Sequence, residues 1–248
     1  MRLLNANTIQ LEHFLGDVPR YAILSHTWQV EEMQFSDMTK PVEQRKASVG
    51  YQKILKCCAQ ASFDDCAYVW IDTCCINSDS SSELSEAINS MYDWYNKAAF
   101  CYVYLADVDL DGQNRLAFEK SRWFTRGWTL QELLAPKQVI FFDCMWRRLG
   151  TKESEQWHPK ILRATGIEAC HLDQPLVCEA FQFMIRNRNL VWQEIVALRI
   201  RKLTSGTGCK YCSEDVLGLE KKDNQKGRYC LLHVGPFQCE HATIVWRG

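Results

Sequence analysis

Four short runs, "RYAILS" (20–25), "AYVWID" (67–72), "AFCYVYL" (99–105) and "QVIFFD" (138–143), constrain this chain more than any other feature. Each is rich in β-branched or aromatic residues and almost unbroken in apolar character. A strand with one wet face would alternate; a continuous run is what a parallel sheet covered on both faces demands. Helical patterns lie between the runs. "VEQRKASVGYQKILKCCAQAS" precedes the second, and "ELSEAINSMYDWYNKA" precedes the third, with Leu84, Ile88, Met91 and Tyr95 at helical spacing. Ser80 and Glu83 stand at capping-box spacing at the start of the latter. "TRGWTLQELLA" precedes the fourth and is stopped by Pro136. The alternation predicts an α/β fold: a parallel, doubly wound sheet flanked by helices, with right-handed crossovers.

The totals exclude several classes. Hydrophobic residues make up 47% of 248, enough for a substantial core. The 29 basic and 30 acidic residues nearly cancel and form no basic block, so the sequence carries no electrostatic footprint for nucleic acid. "MRLLNANTIQLEHFLGD" lacks the apolar stretch of a signal peptide, and no apolar run reaches membrane-spanning length. The cysteines number 13, several inside the apolar runs; without a secretory signal they read as buried or free thiols in a reducing, cytoplasmic setting.

In open parallel sheets, ligands bind beyond the carboxyl ends of the strands. Those ends carry "SHTW" (25–28), "DTCCIN" (72–77) and "ADVD" (106–109), so Ser25, His26, Trp28 and Asp72 are expected on one rim. On a helix at about 100° per residue, Leu130, Leu133 and Leu134 share one face, and Trp128 and Glu132 lie one turn apart on the other. That face is expected to border a cleft, with Glu132 as a functional carboxylate. Two plainer roles stay open for Glu132: a capping box with Thr129, or an ion pair with Arg122 or Arg126. A cysteine nucleophile at Cys74 or Cys75, using His26 as base, is a further reading.

After about residue 150 the pattern weakens. Residues 178–203 read as one or two helices, and "TSGTG" (204–208) as a linker. The tail then places "CKYC" and "CLLH" 17 residues apart, and Cys209, Cys212, Cys230 and His233 would suit a closed, structural tetrahedral zinc site.

"RYAILSHTW", "GYQKILKCC", "YVWIDTCCIN", "ELSEAINSMYDWYNKAAFCYVYLADV" and "SRWFTRGWTLQELLAPKQVIFFD" resemble, in order, the blocks of the fungal heterokaryon incompatibility (HET) domain. The resemblance covers residues 1 to about 167, leaving 168–203 as a helical extension and 204–248 as a Cys/His-rich tail. Where this family often has glycine after the "SHTW" tryptophan, the chain has Gln29. HET domains are linked to nonself recognition and cell death, and are distantly similar to TIR domains. Thr125, Trp128, Glu132 and Leu133 match a TIR stretch whose glutamate is essential in the members that cleave NAD. The resemblance thus implies NAD as a substrate, cut at the nicotinamide–ribose bond. Glu132 would be catalytic, Ser25, His26, Trp28, Asp72 and Trp128 would line the nucleotide, and activity would depend on self-association or a partner signalling protein. No G-x-G-x-x-G occurs, so nothing indicates a dinucleotide held as a classical cofactor. A non-enzymatic homotypic interaction module, or the same fold recruited to other small-molecule chemistry, are the alternatives.

Overall fold

A computed structural model describes residues 1–109 and 118–166, together with two short strands in the tail. In chain order the strands are β1 (Arg2–Asn5), β2 (Leu11–His13), β3 (Tyr21–His26), β4 (Tyr68–Ile71), β5 (Phe100–Tyr104), β6 (Val139–Phe142) and β7 (Arg148–Thr151). The helices among them are α1 (Val42–Lys46), α2 (Val49–Phe63), α3 (Asp72–Cys75), α4 (Ser81–Lys97), α5 (Thr129–Leu134) and α6 (His158–Thr165). All seven strands form one sheet in the order β2-β1-β4-β3-β5-β6-β7. The four apolar runs are its parallel centre, β4-β3-β5-β6, and antiparallel strands complete it on both sides.

The order 2-1-3-4 of those central strands reverses direction at β3, so right-handed crossovers put α2 on one face and α4 and α5 on the other. Side-chain contacts agree with that split. Along β3, Tyr21 donates its hydroxyl to the Trp94 carbonyl of α4 (2.6 Å), and Ser25, four residues on, reaches α5. His26 points the other way, to Lys53 of α2. On β4, Trp70 packs against Trp94 and Tyr95, and on β5 the Tyr102 hydroxyl crosses to Asp64 at the end of α2 (2.7 Å). The period-two alternation of a strand therefore sorts neighbouring residues onto opposite layers.

Local chemistry sets the helix ends. Ser48 caps α2, accepting from the Gly50 amide. Gly50 itself has no room for a side chain: a Cβ there would sit 2.3 Å from the Glu31 carbonyl oxygen and 2.8 Å from the Met33 amide. The loop at 31–33 therefore lies directly on the start of α2. Ser80 caps α4 as expected, but Glu83 does not close the box. It accepts instead from the Asn77 amide and pairs with Arg2, tying the start of α4 to β1.

The expected thiols follow the core. Cys57, Cys58, Cys66, Cys74, Cys75 and Cys101 are buried and free, and Cys144 is half-buried and free. Among the described residues no helix is long and apolar enough to cross a membrane. The 168–203 extension lies outside the described residues. In the tail, β8 (Leu219–Asp223) and β9 (Arg228–Leu231) pair antiparallel. Cys209, Cys212 and His233 lie outside the described residues and Cys230 belongs to β9, so the proposed ligand set is not among the described side chains.

Candidate functional site

Adjacent residues at the carboxyl end of β3, Ser25 and His26, each 1% exposed, anchor two charged clusters on opposite faces of the sheet. The first centres on Glu132 of α5. Its carboxylate accepts from Ser25 Oγ (2.7 Å) and from both terminal nitrogens of Arg126 (2.8 and 3.0 Å). Ser25 in turn accepts from the indole N–H of the fully buried Trp123 (2.7 Å). With Ser25 both accepting and donating, its hydroxyl rotor is fixed and one lone pair of Glu132 is defined by the sheet itself. The Cys101 thiol donates to the Glu132 carbonyl from β5 (3.6 Å), which locks the helix end as well. Arg126 is held above its ordinary pKa: burial works against the cation, and Glu132 outweighs it.

This geometry corrects the amphipathic reading of α5. Leu133 is fully buried and Leu130 and Leu134 only half so, while Glu132 is 3% exposed. The helix has only six residues and fits between the sheet end and α4, so both its faces are covered and no leucine stripe separates inside from outside. Trp128 is the N-cap residue, half-buried, and shares with Glu132 an amide-to-carbonyl bond. The capping box of Thr129 and Glu132 does not form; the Thr129 hydroxyl donates to the Trp123 carbonyl (2.5 Å). Of the two arginines, Arg126 is the partner of Glu132, and Arg122 pairs with Asp107 instead.

The second cluster is a chain of four ionisable groups. Asp72, the first residue of α3, contacts His26 Nε2 with one oxygen (3.0 Å) and accepts the Trp28 indole N–H with the other (2.9 Å). His26 Nδ1 meets Lys53 Nζ at 2.8 Å, and Lys53 forks onto Glu32 at 2.5 and 2.6 Å. A nitrogen–nitrogen contact this short needs one lone pair, so His26 and Lys53 share a single proton between them. Either owner leaves every hydrogen bond in the chain satisfied. Burial lowers the Lys53 pKa, and Glu32 only partly restores it. For His26 burial also opposes the charge, but Asp72 and Glu32 outweigh it and the net direction is up. Glu32 is pushed down to about 2: burial opposes ionisation, and His26 and Lys53 together overcome it. Asp72 is lowered too, burial being outweighed by His26 and Trp28.

The chain therefore pins the segment 28–33 from both sides. Trp28 hangs on Asp72 with 58% of its surface exposed, Val30 is fully exposed, and Glu32 accepts from the Gln29 amide (2.7 Å). Gln29 does not adopt positive φ, so the position where glycine is common makes no use of glycine's freedom.

Five of the six rim residues expected from sequence are brought together in these two clusters; Trp128 stays at the start of α5. Lys53, Glu32 and Trp123 were not expected. Lys53 had a signal: it falls within the apolar stripe of Gly50, Ile54, Cys57, Cys58 and Ala61, where a lysine must find a buried counter-charge. The cysteine nucleophile is corrected. Cys74 and Cys75 lie on the one-turn α3, both buried, with Cys74 donating to the Ile71 carbonyl (3.8 Å). Its hydrogen bond with Cys75 and its burial push the Cys74 thiol well above its ordinary pKa, the reverse of activation. Among the described residues no three or more His, Cys, Asp or Glu form a metal-binding group.

Residues 21–117, which span β3 through β5 and hold the whole second cluster and Ser25, match the family model described as heterokaryon incompatibility protein (HET). Over that stretch the chain is similar to the HET family. Its similarity extends to Vegetative incompatibility protein HET-E-1 of Podospora anserina, 47% identical over 146 residues. That match takes in 56% of this chain and 11% of that relative, so the chain spans a small part of the relative's length. No solved structure matches it. The two clusters sit at the strand ends where a doubly wound sheet offers a ligand crevice, with the reversal of strand order falling at β3.

Proposed function

We propose that this chain acts as a HET domain in fungal nonself recognition leading to cell death, and that it does so by hydrolysing NAD at the nicotinamide–ribose bond in the crevice beyond β3. One observation carries the reading: a glutamate, Glu132, is held in a fixed orientation at the carboxyl end of a parallel sheet by a serine and an arginine, and an exposed tryptophan tethered to Asp72 stands at the same strand-end rim. The reaction converts NAD and water into ADP-ribose, nicotinamide and a proton. Nicotinamide leaves as a neutral molecule from a cationic substrate, so the bond breaks without a strong acid. What the protein must supply is negative charge near the ribose carbon as it becomes oxocarbenium-like. Glu132 supplies that charge and accepts from the ribose hydroxyls. Trp28 offers an aromatic face for a ring of the ligand, and water completes the reaction at the ribose. Residues 1–167 form the catalytic unit, and self-association brings it to full activity.

A second reading has its own observation. In this structure Glu132 is fully engaged by Ser25 and Arg126, while Trp28 and Val30 stand exposed on a pinned loop, as suits a homotypic interaction module without chemistry. Nicotinamide release from NAD, followed chromatographically over a range of protein concentrations beside Glu132→Ala, separates them. Release that rises more steeply than protein concentration and disappears in the folded variant supports hydrolysis. Absence of release from protein shown to be assembled sinks it in favour of the module.

A further inference from the structure

We infer that Arg126 is the diphosphate-recognising residue of this site, and that in the unliganded protein it stands on Glu132 in the substrate's place. This deepens the NAD reading and rests on it for the identity of the ligand. The geometry that points to it is the layering of the pair. Glu132 is 3% exposed and Arg126 20% exposed, so of the two side chains it is the arginine that reaches solvent. The contact is a two-pronged fork, with separate terminal nitrogens on separate oxygens. That fork is the shape in which arginine also binds phosphate, so a phosphate arriving from the open side competes for the same donors. Ser25 and Trp123, by contrast, hold Glu132 from the buried side and stay in place when Arg126 leaves.

Bare removal of Arg126 would strand a buried carboxylate, which is costly. A dinucleotide with a cationic nicotinamide avoids this, because it brings charges of both signs. Its diphosphate takes the arginine and its nicotinamide riboside, carrying the positive charge, takes the glutamate. The site thus exchanges one internal ion pair for two external ones. Tyr95 and Asp72 also favour the Arg126 cation. Once the bond is cut, the product has lost its positive charge, Glu132 has no cation but Arg126, and re-forming the internal pair helps expel ADP-ribose. The oxidised dinucleotide is therefore favoured over the reduced one, whose nicotinamide is neutral.

Calorimetric titration of the full chain with inorganic pyrophosphate, at neutral pH and low salt, tests this without any turnover. The parent is expected to bind pyrophosphate only weakly, because this anion brings no cation to replace Arg126 on Glu132. Arg126→Lys keeps the charge but loses the fork, and should weaken binding about tenfold or more. Glu132→Gln keeps the side chain's shape and its contact with Ser25 but gives up the competing charge, so binding should become tighter, again by about tenfold. A purely structural ion pair gives neither change. Absence of pyrophosphate binding by Glu132→Gln, folded by circular dichroism, overturns the inference, and so does a Glu132→Gln protein that binds no tighter than the parent. Nicotinamide release measured on the same samples keeps the two ideas apart. The pyrophosphate pattern without release retains the anion site and rejects hydrolysis; release that is indifferent to Arg126→Lys retains hydrolysis and rejects Arg126 as its diphosphate residue.

Discussion

Replacing Glu32 by glutamine removes one end of the four-group chain while leaving its shape almost unchanged. In the folded protein Glu32 titrates at about 2 instead of 4.5. A difference of that size is worth about 1.4 kcal/mol per unit, or about 3.4 kcal/mol in all. The loop it belongs to faces water, and screening brings the expected value to about 2–3 kcal/mol. The sign follows from the direction of the shift. A carboxylate with a depressed folded pKa stabilises the fold above its unfolded value, here 4.5, and the contribution drains away as pH falls toward 2. Urea unfolding of parent and Glu32→Gln, followed by tryptophan fluorescence, should therefore differ by about 2–3 kcal/mol at pH 7. The difference should hold down to about pH 4.5 and then narrow steadily. A gap that is negligible at pH 7, or that stays constant down to pH 3, would refute the claim that Lys53 and His26 hold this carboxylate ionised.

The remaining predictions concern other parts of the fold. Gly50→Ala drives a methyl group into the backbone of residues 31–33, and should cost about 1–3 kcal/mol by chemical denaturation; a neutral result would mean the loop is not pressed on α2. Under native conditions Cys144 should be the first of the described thiols to react with iodoacetamide, with Cys57, Cys74 and Cys101 labelled only after denaturation, as peptide mass mapping would show. The paired ligands of the tail call for about one zinc per chain by elemental analysis. That metal should be lost in a Cys209→Ser, Cys212→Ser double variant, and a metal-free parent prepared without chelator would dispose of the idea.

The central sheet was legible because β3, β4, β5 and β6 are buried on both faces, which leaves the sequence no room for polar alternation. The outer strands were not. "RLLN" and "LEH" are too short to show a period, and "RLGT" is half polar because it lies at the edge. Their pairing is decided by the sheet they join. In the site, Ser25, His26 and Asp72 could be placed from the rule about strand ends alone. Glu132 could be singled out, but its surroundings could not, because a six-residue helix wedged between a sheet and another helix has no exposed face for a pattern to reveal. Lys53 and Glu32 meet only because the absent side chain of Gly50 lets two segments touch, which is a tertiary event with a single-residue trace.

Ser25 and His26 are consecutive in the chain yet belong to different layers of the domain. A strand shifted by one residue would hand the histidine to Arg126 and Glu132 and the serine to Lys53 and Asp72, spoiling both clusters together. The hydrogen-bond ladder of β3 is thus answerable to polar chemistry as well as to hydrophobic fit. An insertion or deletion just ahead of Tyr21 has to be absorbed wholly in the loop from β2. The dipeptide acts as a partition wall across which the two halves of the site keep their spacing while each acts on the charges of the other.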